Sequence, residues 1–131
     1  MADIIFDPFQ GKNKRFRNNT ISITRASGFG FNSGFYYRNS IKDFKYVLLF
    51  FNKEQSAIGF QFLNDGKHPG VLTITHDPRG NSGSITALSF ISASDIDVKA
   101  YAGRYEPKEQ KNSKQGKIFY ILLKEKLNRE D

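Results

Sequence analysis

Basic residues are concentrated in the first third of the chain. No acidic residue lies between Asp7 and Asp43, although seven basic residues do. The chain holds 20 basic and 13 acidic residues, so the other 13 basic residues balance all the acids and this window alone supplies the net charge of +7. Because lysine and arginine neutralise nucleic-acid phosphates, the window favours a polyanion partner. The alternative is a solvated basic arm that only aids solubility. The candidate phosphate contacts are Lys12, Lys14, Arg15, Arg17, Arg25, Arg38 and Lys42.

Aromatic side chains beside the basic residues could stack on unpaired bases. Residues 27–40, "SGFGFNSGFYYRNS", include five aromatic residues among glycines, serines and asparagines. A stacked ring contributes about 1–3 kcal/mol per base in single-strand binding proteins. Phe16 and Tyr37 are the rings that we expect to be exposed and therefore the candidate stacking residues. Phe31 and Phe35 are expected in the core, since large apolar residues on patterned elements are usually buried.

Catalytic and metal chemistry has little support in the sequence. The chain has no cysteine and only two histidines, which argues against thiolate chemistry and a structural zinc site. His76, Asp77 and Ser82 are close in sequence, but they belong to a turn that needs polar residues. Asp95 and Asp97 have the spacing of a helix end followed by a turn. We therefore expect no catalytic residue, no metal, no cofactor and no enzymatic activity.

Short strands and short helices must position these residues. Residues 20–24, "TISIT", alternate apolar and polar side chains and predict a strand, and "GFGF" continues that alternation. A short helix is predicted to start near Ser33, a candidate N-cap. Residues 46–51, "YVLLFF", are typical of a strand covered on both faces, and "IGFQFL" completes a hairpin with them.

The second half of the chain repeats this order of elements. "VLTIT" corresponds to "TISIT", "SITALSFISASDI" to the strand end and helix, and "KIFYILL" to "AIGFQFL". The pattern predicts a mostly β (α+β) fold in which a duplicated βαββ unit forms one barrel-like domain with a pseudo-twofold axis. The predicted boundaries are a basic arm at 1–19 and a domain at 20–131 with repeats at 20–63 and 71–123. The alternative is coincidence among β-rich segments, because few identities support the match.

The order of strand, short helix and hairpin in two copies resembles the swapped-hairpin fold of the SpoVT/AbrB family. A tandem arrangement in one chain is similar to the MraZ regulators. The resemblance is carried by "ISIT", "SGFYYRNSIKDFKYVLLFF" and "IGFQF". It implies a DNA-binding regulator with basic side chains near the end of the first strand and on the helix, here Arg25, Arg38 and Lys42. The second copy has no basic residue in "SITALSFISASDID", which predicts a one-sided contact or a homodimer with two equivalent faces.

The sequence thus predicts a cytoplasmic nucleic-acid-binding protein with DNA as the favoured partner. The first ten residues, "MADIIFDPFQ", lack a basic region followed by an apolar core, so no secretory signal is expected. No apolar run approaches the length of about 20 residues that spans a membrane. The alternative function is a non-enzymatic interaction or structural module that self-associates or binds an acidic protein. The segment that bears on this alternative is "YVLLFF", because such a run is covered either by its own chain or by a partner.

Overall fold

Ten strands form two antiparallel five-stranded sheets in the computed structural model, which describes residues 19–112 and 116–127. The first sheet has the order β6-β7-β2-β1-β8 and the second the order β5-β3-β4-β10-β9. The first sheet contains β1 (Ile21–Ile23), β2 (Gly28–Phe31), β6 (Thr75–His76), β7 (Gly83–Thr86) and β8 (Gly103–Tyr105). The second contains β3 (Tyr46–Asn52), β4 (Ala57–Leu63), β5 (Leu72–Thr73), β9 (Lys108–Asn112) and β10 (Gly116–Leu122). The prediction of a mostly β fold is confirmed.

The described residues also form three short α-helices and two 3₁₀ turns, the second of which follows the last strand. The helices are α1 (Ser33–Arg38), α2 (Leu88–Ala93) and α3 (Val98–Tyr101), and the 3₁₀ turns are Ile41–Asp43 and Leu123–Glu125. The predicted start of α1 at Ser33 is confirmed, but the N-cap is Asn32 rather than Ser33. The Asn32 side chain accepts no hydrogen bond from the helix backbone, and its amide nitrogen donates to the hydroxyls of Thr20 and Ser22.

The described strands form no closed barrel, so the predicted barrel-like closure is corrected to two separate sheets. The physical reason lies at the edges. The first sheet ends in β6 and β8, and the second ends on one side in β5, and these strands are only two or three residues long. Such short edges offer few backbone donors and acceptors to another sheet, and they are a common protection of sheet edges.

Phenylalanine rings fill the space between the two sheets. Phe29 and Phe31 on β2 meet Phe60 on β4 edge to face, with ring centroids 5.1 and 5.9 Å apart. Phe35 on α1 packs against Phe119 on β10 at 5.0 Å. All of these rings are buried, which confirms the prediction that Phe31 and Phe35 belong to the core. The sheets are therefore held by edge-to-face aromatic contacts, which add to the free energy of area burial.

Candidate nucleic-acid interface

Arg25 lies in the turn between β1 and β2, and hydrogen bonds within the turn define its conformation. The Thr24 N–H donates to the Gly28 carbonyl at 2.9 Å, and the Gly28 N–H donates to the Thr24 hydroxyl at 3.1 Å. Ser27 has a left-handed φ of 63°. The Ser27 carbonyl accepts from Ala87 of the second half at 2.9 Å. The turn therefore presents the exposed Arg25 from a backbone anchored at both ends.

A depression of about 560 Å³ opens beside this turn and is rich in basic groups. Its lining includes Arg25 from the turn, Lys99 from α3, Arg104 from β8 and Lys126 from the segment after the last 3₁₀ turn. Among the described residues that line it, none is acidic. We call it the basic depression. It combines one residue of the predicted set with three that the sequence analysis did not select.

Backbone contacts hold these added residues around the basic depression. Arg104 pairs with Ser22 in the β1–β8 ladder, so its position follows from the sheet register. Lys99 lies in the first turn of α3, where the Asp97 carboxylate accepts from the Lys99 N–H at 3.0 Å. The Lys126 ammonium donates to the carbonyls of Ala100 at 3.0 Å and Ala102 at 3.4 Å. The depression is thus built from segments that lie far apart in sequence.

A second, polar depression of about 370 Å³ shares Arg104 with the basic depression. Its other lining side chains carry hydroxyls and amides, and they belong to Ser22, Asn32, Ser33, Asn81 and Ser82. On the same face of the sheet, Ser22 is paired with Gly30, and Gly30 is paired with Ser84. These small side chains let a partner approach the sheet closely. The shared Arg104 connects the two depressions.

Arg38 and Lys42, the other predicted contact residues that the structure describes, do not line the basic depression. Arg38, at the end of α1, lines a different depression together with Glu106 and Glu109. Lys42 is exposed in the first 3₁₀ turn, and Tyr37 exposes 64% of its surface on α1. The exposure predicted for Tyr37 is therefore confirmed, whereas its stacking role stays a prediction. The arm contacts and stacking ring Lys12, Lys14, Arg15, Phe16 and Arg17 lie outside the described residues.

His76 and Asp77 are hydrogen-bonded to separate groups of the chain. The two His76 ring nitrogens are hydrogen-bonded to the buried Tyr36 hydroxyl at 2.7 Å and to the Phe44 carbonyl at 2.8 Å. The Asp77 carboxylate accepts from the Arg79 backbone N–H at 2.8 Å and from its guanidinium at 3.3 Å. Hydrogen bonds from Arg79 lower the pKa of Asp77 below its ordinary value. His76 thus links β6 to α1 and to the chain before β3.

Asp95 and Asp97 shape the chain between α2 and α3. Asp95 has a left-handed φ of 58° just after α2, and Asp97 is the N-cap of α3. In the described part of the chain, no group of three histidine or acidic side chains could hold a metal ion. Of the described helices, none combines the length and the apolar character needed to cross a membrane.

The outer face of the second sheet is apolar along its central strands β3, β4 and β10. The registers place Phe50 beside Gly59, and Gly59 beside Tyr120. The loop at 64–70 reaches part of this face, since Gly66 and Gly70 lie against Tyr46 and Leu48 respectively. The rest contains a depression of about 500 Å³ whose lining includes Phe50, Gly59, Ile118 and Tyr120, together with the polar side chains of Asn52, Gln55 and Gln110. We call the first four of these residues the apolar face.

Comparison of the chain with protein-family models, curated proteins and solved structures finds no match.

Proposed function

We propose that the protein is a non-enzymatic, cytoplasmic nucleic-acid-binding protein, with DNA as the favoured partner. The observation that carries the proposal is the basic depression beside the exposed Arg25. Lysine and arginine bind phosphate oxygens through charge-assisted hydrogen bonds, and counterion release supplies much of the affinity. The basic arm at 12–17 precedes β1, the strand that leads into the Arg25 turn. Arm and turn would together neutralise phosphates, with Arg38 and Lys42 as further contacts.

We infer that the protein is an AbrB-like regulator built from two repeats related by a pseudo-twofold axis. Each sheet contains one hairpin from 20–63 and one from 71–123, and these meet through β2 and β7 or through β4 and β10. A residue with left-handed φ follows each of the two six-residue helices, Ser40 after α1 and Asp95 after α2. Each is followed by a buried isoleucine, Ile41 or Ile96. This correspondence supports a common plan of hairpin, helix and hairpin for the two halves, in which two short strands replace the single first strand of the predicted βαββ unit.

Binding to duplex oligonucleotides is expected to weaken steeply as salt increases. Changing Lys12, Lys14, Arg15 and Arg17 to glutamine removes up to four phosphate contacts, and each contact contributes about 0.9 to the slope of log affinity against log salt. The steepness of the dependence of log affinity on log salt should therefore fall by up to about 3.6 for the four contacts. Fluorescence anisotropy at several salt concentrations, with duplex and single-stranded oligonucleotides, measures this change.

The matched control changes four exposed lysines outside the arm, namely Lys45, Lys53, Lys67 and Lys111. It removes the same charge, so a general effect of net charge would lower both slopes equally. Preferred binding of the duplex would support groove contact, and preferred binding of the single strand would support stacking on Tyr37 or Phe16. Absence of binding by the unaltered protein at low salt would refute the proposed function.

A second candidate function, self-association, is favoured by the apolar face. Apolar surface that the chain leaves uncovered commonly marks an interaction site, and this face presents the half-buried rings of Phe50 and Tyr120 beside the buried Ile118. We expect a dimer that persists at high salt, because screening weakens ionic contacts but not apolar burial. Changing Phe50 to glutamate should shift the sedimentation coefficient to that of a monomer. Tyr37→Glu is the control on an exposed ring elsewhere, and a monomeric unaltered protein at all concentrations would exclude this function.

A further inference from the structure

We propose that the basic depression is a phosphate-binding site to which both halves of the chain contribute. The proposal deepens the proposed function and rests on it for the source of the phosphate, a nucleic acid. The first half provides Arg25, whereas Lys99 and Arg104 come from the second half and Lys126 from the C-terminal segment. The distribution of charge along the sequence suggests a contact limited to the first half. The depression would extend that contact to the second half.

Convergence of like charges is the first argument for an anion. Four basic side chains line one depression of about 560 Å³, and its described lining has no carboxylate. Like charges around one concavity repel one another and produce a positive potential there. A bound phosphate would relieve this repulsion and would accept hydrogen bonds from the guanidinium and ammonium groups. The depression is also large enough for a phosphate group together with part of the sugar that bears it.

The position of Lys126 is the second argument, because hydrogen bonds to backbone carbonyls hold its ammonium at the depression. Its ammonium donates to the carbonyls of Ala100 and Ala102, the latter at the C-cap of α3. Those carbonyls would otherwise present negative partial charge to the depression. An ammonium has three N–H donors, so one remains for a ligand after these two bonds. Lys126 thus converts a surface that would repel an anion into one that attracts it.

Gly103 permits this arrangement. Its φ of 148° is unfavourable for residues with a side chain, and a Cβ at this position would lie 2.8 Å from Cδ of Lys126. The absence of a side chain lets the lysine lie across the start of β8. The backbone of β8 is then close to the space that a phosphate would occupy. The Gly103 amide is therefore a local reporter of binding.

The neighbouring polar depression indicates the path that a bound nucleic-acid strand would follow from the proposed site. Arg104 lines both depressions, and the polar one provides the hydroxyls of Ser22 and Ser82 and the amides of Asn32 and Asn81. Hydroxyl and amide groups commonly contact the phosphates and sugars of nucleic acids. A strand with one phosphate in the basic depression could continue over the sheet toward the turn between β6 and β7. The same site could alternatively hold the terminal phosphate of a strand.

The experiment compares the unaltered protein with an Arg25→Gln, Lys99→Gln double variant. Both side chains are exposed, so the fold should be retained, as circular dichroism would verify. The matched control is Lys53→Gln with Lys67→Gln, which removes the same charge elsewhere. For a duplex oligonucleotide, the double variant should lower the salt slope by about 1.8, at about 0.9 per lost contact, and the control should not. Inorganic pyrophosphate should shift the Gly103 amide resonance of the unaltered protein and have less effect on the double variant.

The outcomes separate the site from the proposed function. Oligonucleotide binding with equal slopes in the double variant and the control, and no pyrophosphate shift at Gly103, would overturn the site but leave nucleic-acid binding intact. A pyrophosphate shift at Gly103 without oligonucleotide binding would support the site and refute the proposed function. Affinity that requires a 5′-phosphate would assign the site to a strand terminus. Equal affinity with and without it, together with the reduced slope, would assign the site to the backbone.

Discussion

A Phe60→Ala variant is expected to lose about 3–5 kcal/mol of unfolding free energy, the usual cost of removing a buried phenylalanine ring. Phe60 is fully buried on β4, and its ring meets Phe29 and Phe31 of the other sheet edge to face. The substitution would leave a cavity between the sheets and remove both ring contacts. Since small domains have only about 5–15 kcal/mol of total stability, a large fraction of the molecules could unfold near physiological temperature.

Urea unfolding followed by circular dichroism measures this loss. Phe60→Leu should cost less than Phe60→Ala, because a branched aliphatic side chain fills part of the space. Tyr37→Ala is the aromatic control, since that ring is largely exposed and its removal should change stability by less than about 0.5 kcal/mol. An unfolding midpoint of Phe60→Ala equal to that of Tyr37→Ala would show that the two sheets do not pack through Phe60.

Local sequence patterns predict the elements of the first half well. The alternation in "TISIT" and "GFGF" falls on β1 and β2, although these form an antiparallel hairpin rather than the one continuous strand that the alternation predicts. The predicted helix start at Ser33 is the start of α1. Periodicity is informative here because each element is amphipathic and faces a single core. It also identifies Phe31 and Phe35 as core residues. These successes depend only on near neighbours in sequence.

The same patterns cannot predict the basic depression. Its formation depends on the pairing of β1 with β8, and β8 has only the three residues "GRY", too few for a periodic signal. Lys99, Arg104 and Lys126 lie where acidic and basic residues balance along the chain, so charge counting does not select them. The one sequence feature that points to the depression is the glycine at 103 beside a basic residue. It is informative only once the backbone conformation at that glycine is known. Tertiary pairing, rather than composition, brings these charges together.

The continuous apolar run in "YVLLFF" forms β3, and each face of this strand packs differently. Val47 and Phe51 belong to the core side of β3, whereas Leu48 and Phe50 face outward. The loop at 64–70 lies against Leu48, while Phe50 lines the apolar face. The sequence correctly indicates that both faces need cover. It does not indicate that the chain itself supplies only part of that cover on the outer face.

A Gly28→Ala variant is expected to lose about 1–3 kcal/mol or more, as is usual for steric overlap in a packed region. A Cβ at Gly28 would overlap the backbone carbonyl oxygen of Ile85 on β7, and a backbone atom within a sheet cannot move aside cheaply. Gly28 is paired with Thr86, in the ladder through which β2 and β7 join the two halves in the first sheet. The methyl group would therefore force these strands apart.

Gly30→Ala is the matched control, because it makes the same chemical change two residues away on the same strand. Its Cβ would be 3.8 Å from Cβ of Ser22, an ordinary van der Waals contact on the outer face. Its stability should stay within about 0.5 kcal/mol of the unaltered protein. Urea unfolding of both variants tests this difference. If Gly28→Ala proved as stable as Gly30→Ala, β2 and β7 could not lie as close as this ladder requires, and the junction of the two halves through β2 and β7 would be wrong.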